Sequence, residues 1–198
     1  MKAIEVKFKK LCPEAEIPQK AHPEDIGFDV KAVRVEYDAE TDCYKYYTGL
    51  SWEAEANISC FGFAQSRNSK TDCYLTNHVG IIDPNYRGEI QFRYKNRTSR
   101  DMRVESYFNL LWSDRTLWER ILCTFSKFRR YCLYSDMHQA AEAFVDSIIM
   151  DYAPYKVGES VGQFVIMSVP DVNITEVEEI NETDRGEGGF GSTAGEKQ

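Results

Sequence analysis

The segment Gly80-Ile81-Ile82-Asp83-Pro84-Asn85-Tyr86-Arg87-Gly88-Glu89-Ile90 is the most informative in the chain. An apolar run leads into an acid, a proline turn, an aromatic ring and a glycine, and a second run follows. Taken alone, it reads as a β-hairpin with a polar tip. Upstream, short apolar or alternating runs recur at Ala3–Phe8, Asp29–Val35, Tyr44–Tyr47, Ala56–Phe63 and Asp72–Leu75, and Ile90–Tyr94 continues the series. Pro23, Gly27, Gly49, Gly80 and Gly88 punctuate them. Many short strands with regular turn signals predict a sandwich, jelly roll or barrel.

From about residue 100 to 152 the period changes. Leu117, Trp118, Ile121, Leu122, Phe125 and Phe128 recur at helical spacing after Ser113-Asp114. Met137, Ala140, Ala141, Phe144, Val145, Ile148 and Ile149 do so again after Ser135-Asp136. Each Ser-Asp pair reads as an N-cap, so this part of the chain is expected to form a helical hairpin. Strand character returns over residues 155–178, with Val161–Val169 as the clearest run. The end is different again: Arg185-Gly186-Glu187-Gly188-Gly189-Phe190-Gly191-Ser192-Thr193 is glycine-rich and polar. Such a tail buries too little apolar surface to order itself. Its glycines let backbone amides approach an anion, its arginine suits phosphate, and its lone phenylalanine suits a flat base.

Composition limits the function classes. With 198 residues, 42% of them hydrophobic and 28% charged, the chain fits one globular domain or one domain plus an elaboration. A net charge of −8 argues against broad nucleic-acid or anionic-membrane binding. It leaves room for a small polyanion if cations or a divalent metal gather locally. The six cysteines (Cys12, Cys43, Cys60, Cys73, Cys123 and Cys132) form no CxxC pair and read as small buried hydrophobes. The opening residues lack the apolar centre of a secretory signal, and no run suits a membrane span. A reducing cytoplasm is the expected compartment.

Together these stretches resemble the trimeric all-β dUTPase family, whose five motifs occur here in order. Asp25-Ile26-Gly27-Phe28-Asp29-Val30 resembles the first, and Ala64-Gln65-Ser66-Arg67-Asn68-Ser69-Lys70 the second. Gly80–Ile90, with Asn77 upstream, resembles the third. Gly158-Glu159-Ser160-Val161-Gly162-Gln163 resembles the fourth, and Arg185–Thr193 the fifth. Thr48-Gly49-Leu50 matches a structural turn of the family.

The resemblance implies a mainly β, jelly-roll-like β-barrel over residues 1–198, a single dUTPase domain. The helical insert at about 100–152 and a flexible C-terminal arm at about 180–198 would be elaborations of it. It implies a homotrimer whose active sites are shared between chains and closed by the arm. The implied reaction is hydrolysis of dUTP to dUMP and pyrophosphate, with Mg²⁺ as cofactor. Asp83 would activate the attacking water and meet the sugar 3′-hydroxyl, and Tyr86 would lie under the deoxyribose. Asn77 would read the uracil edge. Ser66, Gln163, Arg67 and Arg185 would meet phosphates, Phe190 would stack on uracil, and Ser192 would join the substrate contacts. Asp29 would be the acidic contact to hydrated Mg²⁺. Arg87 and Glu89 read as structural, and Lys70 as added charge on the phosphate side; His78 adjoins Asn77.

Two departures from the family pattern stand out. Gln65 occupies the place of the usual arginine before the motif serine, with an arginine instead at Arg67; Ser160 occupies a usually basic place. The helical insert is the other. Packing on the barrel is its expected role; the alternative is a docking surface for a protein partner. A second reading of the whole chain follows: a nucleotide-gated interaction protein with attenuated turnover. A deaminase of dCTP shares the barrel, but the Asp83/Tyr86 pattern and the tail resemble dUTPase.

Overall fold

The computed structural model describes residues 3–113 and 127–184. Ten strands build it: β1 (Val6–Lys10), β2 (Phe28–Lys31), β3 (Arg34–Asp38), β4 (Cys43–Tyr47), β5 (Leu50–Ala54), β6 (Ile58–Phe63), β7 (Cys73–Leu75), β8 (Val79–Ile82), β9 (Gln91–Asn96) and β10 (Ser160–Ser168). All pairings are antiparallel. One sheet runs β2-β10-β6-β8, a second β3-β4-β9-β7, and β1 pairs β5 in a third. The mainly β, jelly-roll-like expectation is met, with the hydrogen-bonded sheets left open.

Alternation explains which faces turn inward. Ile58, Cys60 and Gly62 point into the core from β6, and their neighbours lie at its margin. Phe92 and Tyr94 of β9 meet Tyr44 and Tyr46 of β4, Trp52 of β5, and Val161 and Phe164 of β10 in one cluster that both four-stranded sheets share. Four buried tyrosine hydroxyls satisfy themselves on neighbours: Tyr44 on the Ile149 carbonyl at 2.7 Å, Tyr46 on that of Tyr155 at 2.9 Å, Tyr94 on that of Val161 at 2.6 Å, and Tyr155 on the Asn68 side chain at 2.9 Å. A phenol buried without such a partner would destabilise the core.

Two expectations about strands are corrected. Asp29–Val35 is not one strand. The chain leaves β2 at Ala32, whose carbonyl accepts from Gly158 N at 2.8 Å, and Val33 N turns to the Tyr47 carbonyl at 2.8 Å, so β3 enters the other sheet. Gly80–Ile90 is likewise no hairpin. β8 pairs β6, whereas β9 pairs β4 and β7, so the segment between them crosses from one sheet to the other.

Between β9 and β10 lie α1 (Arg100–Ser113) and α2 (Lys127–Ile148), followed by a 3-10 turn over Ile149–Tyr152. The start of α1 went unread in the sequence, yet its cap was there: Ser99 Oγ accepts from Met102 N at 3.2 Å. Asp42, from the β3–β4 turn, also accepts from Arg100 N at 3.2 Å. Ser135-Asp136 is interior to α2 and not its cap, because the helix begins eight residues earlier, at Lys127. The helix expected over Leu117–Phe125 lies outside the described residues, and Ser113 already belongs to α1. Val104 and Phe108 of α1 pack on Ala141 and Val145 of α2 and on Ile149. Arg100 closes the pair with two bonds to Asp146, at 2.7 and 2.8 Å.

Gly162 shows how tightly the sheets meet. A Cβ there would stand 2.6 and 2.8 Å from ring carbons of the buried Phe92. Gly162→Ala is expected to destabilise the fold by about 1–3 kcal/mol through overpacking. The check is the urea midpoint; an unchanged midpoint would refute the contact.

Candidate active site

The β8–β9 crossing forms one wall of a cavity of about 310 Å³. Asn77, Asp83 and Tyr86 line it together with Gly62, Glu89 and Phe92. Asn77 stands at the tip of the β7–β8 connection, where His78 N bonds the Leu75 carbonyl at 3.0 Å and His78 adopts φ of +57°. Asp83 presents an exposed side chain while its backbone is fixed: its carbonyl accepts from Trp52 Nε1 at 3.0 Å and from Tyr86 N at 3.1 Å. Tyr86 folds back over Gly88, its hydroxyl donating to the Glu89 carbonyl at 3.2 Å.

Arg87 and Glu89 both bond to neighbouring segments of the chain. Arg87 Nη1 donates to the Pro84 carbonyl at 2.8 Å and the Trp52 carbonyl at 3.3 Å, and Nη2 lies 3.5 Å from Glu53. Glu89 Oε1 accepts from Gly49 N at 2.7 Å. Gly49 turns the chain at φ of +65°, which favours glycine. The buried Thr48 hydroxyl donates to the Ile90 carbonyl at 2.8 Å. His78 does not line the cavity; its ring stacks on Tyr74.

A second cluster sits apart, where β2, β6 and β10 end. Asp29 is paired in register with Gln163 across β2 and β10. Gln65 Nε2 donates to Asp29 Oδ1 at 2.7 Å and to Ser160 Oγ at 2.5 Å. Arg67 leads the 3-10 turn Ser66–Lys70 back onto the same place: Nε donates to Gln65 Oε1 at 3.1 Å and Nη2 to the Ser160 carbonyl at 2.6 Å. Glu159 lies 3.6 Å from Nη2. Ser66 and Lys70 are exposed on this turn.

A single chain therefore brings Asn77, Asp83 and Tyr86 to one cavity, and Asp29, Gln65, Arg67 and Ser160 to another place. Asp29, Ser66, Arg67 and Gln163 do not line the cavity. Arg185, Phe190 and Ser192 lie outside the described residues.

The sequence model of the dUTPase family matches residues 13–109, a span that holds the first three motifs. Curated relatives extend the match across the chain. A deoxyuridine 5'-triphosphate nucleotidohydrolase of Clostridioides difficile is 26% identical over 194 residues, covering 95% of this chain and 96% of that protein. One of Nautilia profundicola is 28% identical over 196 residues, covering 96% and 99%. Over nearly its whole length the chain is thus similar to members of the dUTPase family.

Solved dUTPases share the fold. A Staphylococcus bacteriophage 80alpha dUTPase variant with dUpNHpp superposes with a TM-score of 0.60 at 16% identity, covering 96% of this chain and 98% of that one. A variant from phage phi11 of S. aureus, described with a structural Mg(II) ion, gives a TM-score of 0.54 at 14% identity, covering 88% and 97%. Gln65 and Ser160, the two positions that differ from the dUTPase motifs, touch each other, and Arg67 bonds both.

Several site residues had no sequence signal. Trp52 stands 31 residues from Asp83, and nothing local marks it as the donor that holds the turn. Gly62 and Phe92 lie in ordinary strand patterns.

A Cβ on Gly88 would come within 2.6 Å of Tyr86 Cζ. Gly88→Ala is expected to drive the Tyr86 ring off its seat and break its bond to the Glu89 carbonyl. A crystal structure of the variant checks this; an unmoved ring would refute it.

Proposed function

We propose that this chain is a dUTP diphosphatase of the dUTPase family, converting dUTP to dUMP and pyrophosphate. The observation that carries the reading is the convergence of Asn77, Asp83 and Tyr86 on one cavity. In this reading the uracil enters between Asn77 and the strand backbone. Tyr86 lies under the deoxyribose, where a ribose 2′-hydroxyl would clash. Asp83 accepts a proton from the water that attacks the α-phosphorus, and it also meets the 3′-hydroxyl. The bond from the α-phosphorus to the bridging oxygen breaks, and pyrophosphate leaves.

Ser66, Arg67 and Gln163 serve as phosphate contacts, with Lys70 adding positive charge nearby. Arg185, Phe190 and Ser192 are assigned to the closing arm. Among the described residues no three His, Cys, Asp or Glu side chains gather as a metal cage. Asp29 offers a single carboxylate, a donor set that fits Mg²⁺, which keeps several waters and takes substrate phosphates. When bound there, Mg²⁺ neutralises triphosphate charge and steadies the leaving group.

The separation of the two clusters favours a homotrimer in which Asp83 of one chain and Arg67 of another complete each site. No described helix is long and apolar enough to cross a membrane. A reducing cytoplasm suits the free thiols Cys12, Cys43, Cys60 and Cys73.

The second reading is a nucleotide-gated interaction protein. It draws on Met102 and Leu110, apolar side chains of α1 that stay more than half exposed. The 80alpha phage dUTPases, which share the fold, are described as controlling transfer of virulence genes.

Turnover decides between the readings. With Mg²⁺, pyrophosphate is expected from dUTP but not from dCTP, dTTP or UTP. Asp83→Asn is expected to lower kcat by about 10²–10⁴-fold. Because the carboxylate is exposed, the unfolding midpoint should stay unchanged. Tight dUTP binding without turnover would favour the interaction protein.

Shared sites make a separate prediction. Asp83→Asn and Arg67→Ala chains, each impaired, are expected to regain activity when unfolded and refolded together. Mixtures that stay as weak as the separate variants would place both residues of each site on one chain.

A further inference from the structure

Arg67 owes its position to a residue that none of the five motifs contains. Its guanidinium lies over the ring of Tyr155, 4.7 Å from the centroid. Tyr155 also reaches the neighbouring residue of the same turn, its hydroxyl donating to Asn68 Oδ1 at 2.9 Å. Asn68 in turn donates through Nδ2 to the Cys73 carbonyl at 3.0 Å. One side chain thus grips the Ser66–Lys70 turn twice, once by its face and once by its hydroxyl.

The grip is stiff because Tyr155 itself is fixed from every side. It is 2% exposed. Its backbone N donates to the Tyr46 hydroxyl at 3.0 Å, and its carbonyl accepts from that hydroxyl at 2.9 Å. The rings of Tyr46 and Tyr94 meet its ring at steep angles, at centroid distances of 5.9 and 5.1 Å. Burial pushes its phenol pKa upward, so the hydroxyl stays a donor at neutral pH.

Its place in the chain joins the helices to the phosphate-side cluster. Tyr155 follows the 3-10 turn that closes α2, and Tyr44 pins that turn through the Ile149 carbonyl at 2.7 Å. Arg103 of α1 stacks over Tyr152 of the same turn, 4.1 Å from its centroid. Five residues beyond Tyr155, Ser160 receives Arg67 Nη2. The remaining guanidinium nitrogen, Nη1, has no hydrogen-bond partner among the described residues, and the Arg67 side chain is 43% exposed. Two nitrogens are held, and the third is left without such a hold.

We propose that Tyr155 is the positioning residue of the triphosphate site: it seats Arg67 so that Nη1 faces the phosphates, in place of the arginine that Gln65 replaces. This rests on the dUTP reading above. It gives the helical segment a role in substrate binding, since the position of Tyr155 depends on how that segment rejoins the barrel. A lysine at position 67 would lack the flat face that stacks on the ring.

The test compares two ligands on the full chain with Mg²⁺: dUMP, and a non-hydrolysable imido analogue of dUTP. The ratio of their affinities reports the β- and γ-phosphate contacts apart from the uracil cavity. Tyr155→Leu is expected to lower that ratio about tenfold with dUMP affinity unchanged, and Tyr155→Phe, which keeps the ring, about threefold. In an Arg67→Ala background neither change should lower the ratio further.

Equal loss of both ligands in the Tyr155 variants, or an undiminished loss in the Arg67→Ala background, would overturn the proposal while leaving the dUTP reading intact. If Tyr155→Leu does not fold, Tyr155→Phe decides alone, and an unchanged ratio overturns it. A wild-type chain that binds neither nucleotide would overturn the dUTP reading and this one with it.

Discussion

The structure depends on how the chain is held while it crosses from β8 to β9. Strands within a sheet are positioned by ladder hydrogen bonds, but a segment passing between sheets has none. The segment from Thr48 to Trp52, which leads from β4 into β5, supplies the substitutes. Trp52 Nε1 holds the Asp83 carbonyl at 3.0 Å, Thr48 Oγ1 holds the Ile90 carbonyl at 2.8 Å, and Gly49 N holds the Glu89 carboxylate at 2.7 Å. These bonds fix both ends of the crossing while its tip stays open. The Asp83 backbone is thereby rigid while its carboxylate faces solvent, an arrangement suited to a base that meets water on a bound substrate.

The second cluster is organised by different physics. Its backbone comes from β2 and β10, in register at Asp29 and Gln163, but its side chains bond one another. Gln65 bridges Asp29 and Ser160, and Arg67 bridges Gln65 and the Ser160 carbonyl. A neutral amide at position 65 spans two acceptors and leaves the positive charge to its neighbour. The change at Ser160 is compatible with this because its hydroxyl accepts the Gln65 amide. The motif changes at Gln65 and Ser160 thus read as one rearrangement.

Tyrosines connect the parts. Tyr44, Tyr46, Tyr94 and Tyr155 combine large apolar area with a polar end, and each polar end meets a carbonyl or amide oxygen of another element. A phenylalanine core would pack as well but would leave the Ile149 turn and the Asn68 turn without their anchors. The helices use a smaller core of their own, built on Val104, Phe108, Ala141 and Val145. They meet the barrel mainly where the chain enters and leaves, through Asp42 at the start of α1 and Tyr44 at the end of α2.

By itself the sequence determined the elements with a strong period or a local signal. The alternation in β4, β6, β9 and β10, the turn at Gly49 and the ordered motifs around Asp83 and Asp29 were all legible, because strand faces and turn chemistry act over a few residues. The tertiary structure decided where those elements went. Asp29–Val35 divided between two sheets and Gly80–Ile90 became a crossing, since both outcomes depend on distant partners such as Glu159, Tyr47 and Trp52. It also placed Arg67 on Tyr155, 88 residues away along the chain. No period or motif encodes such a contact, because packing acts between surfaces that only folding brings together.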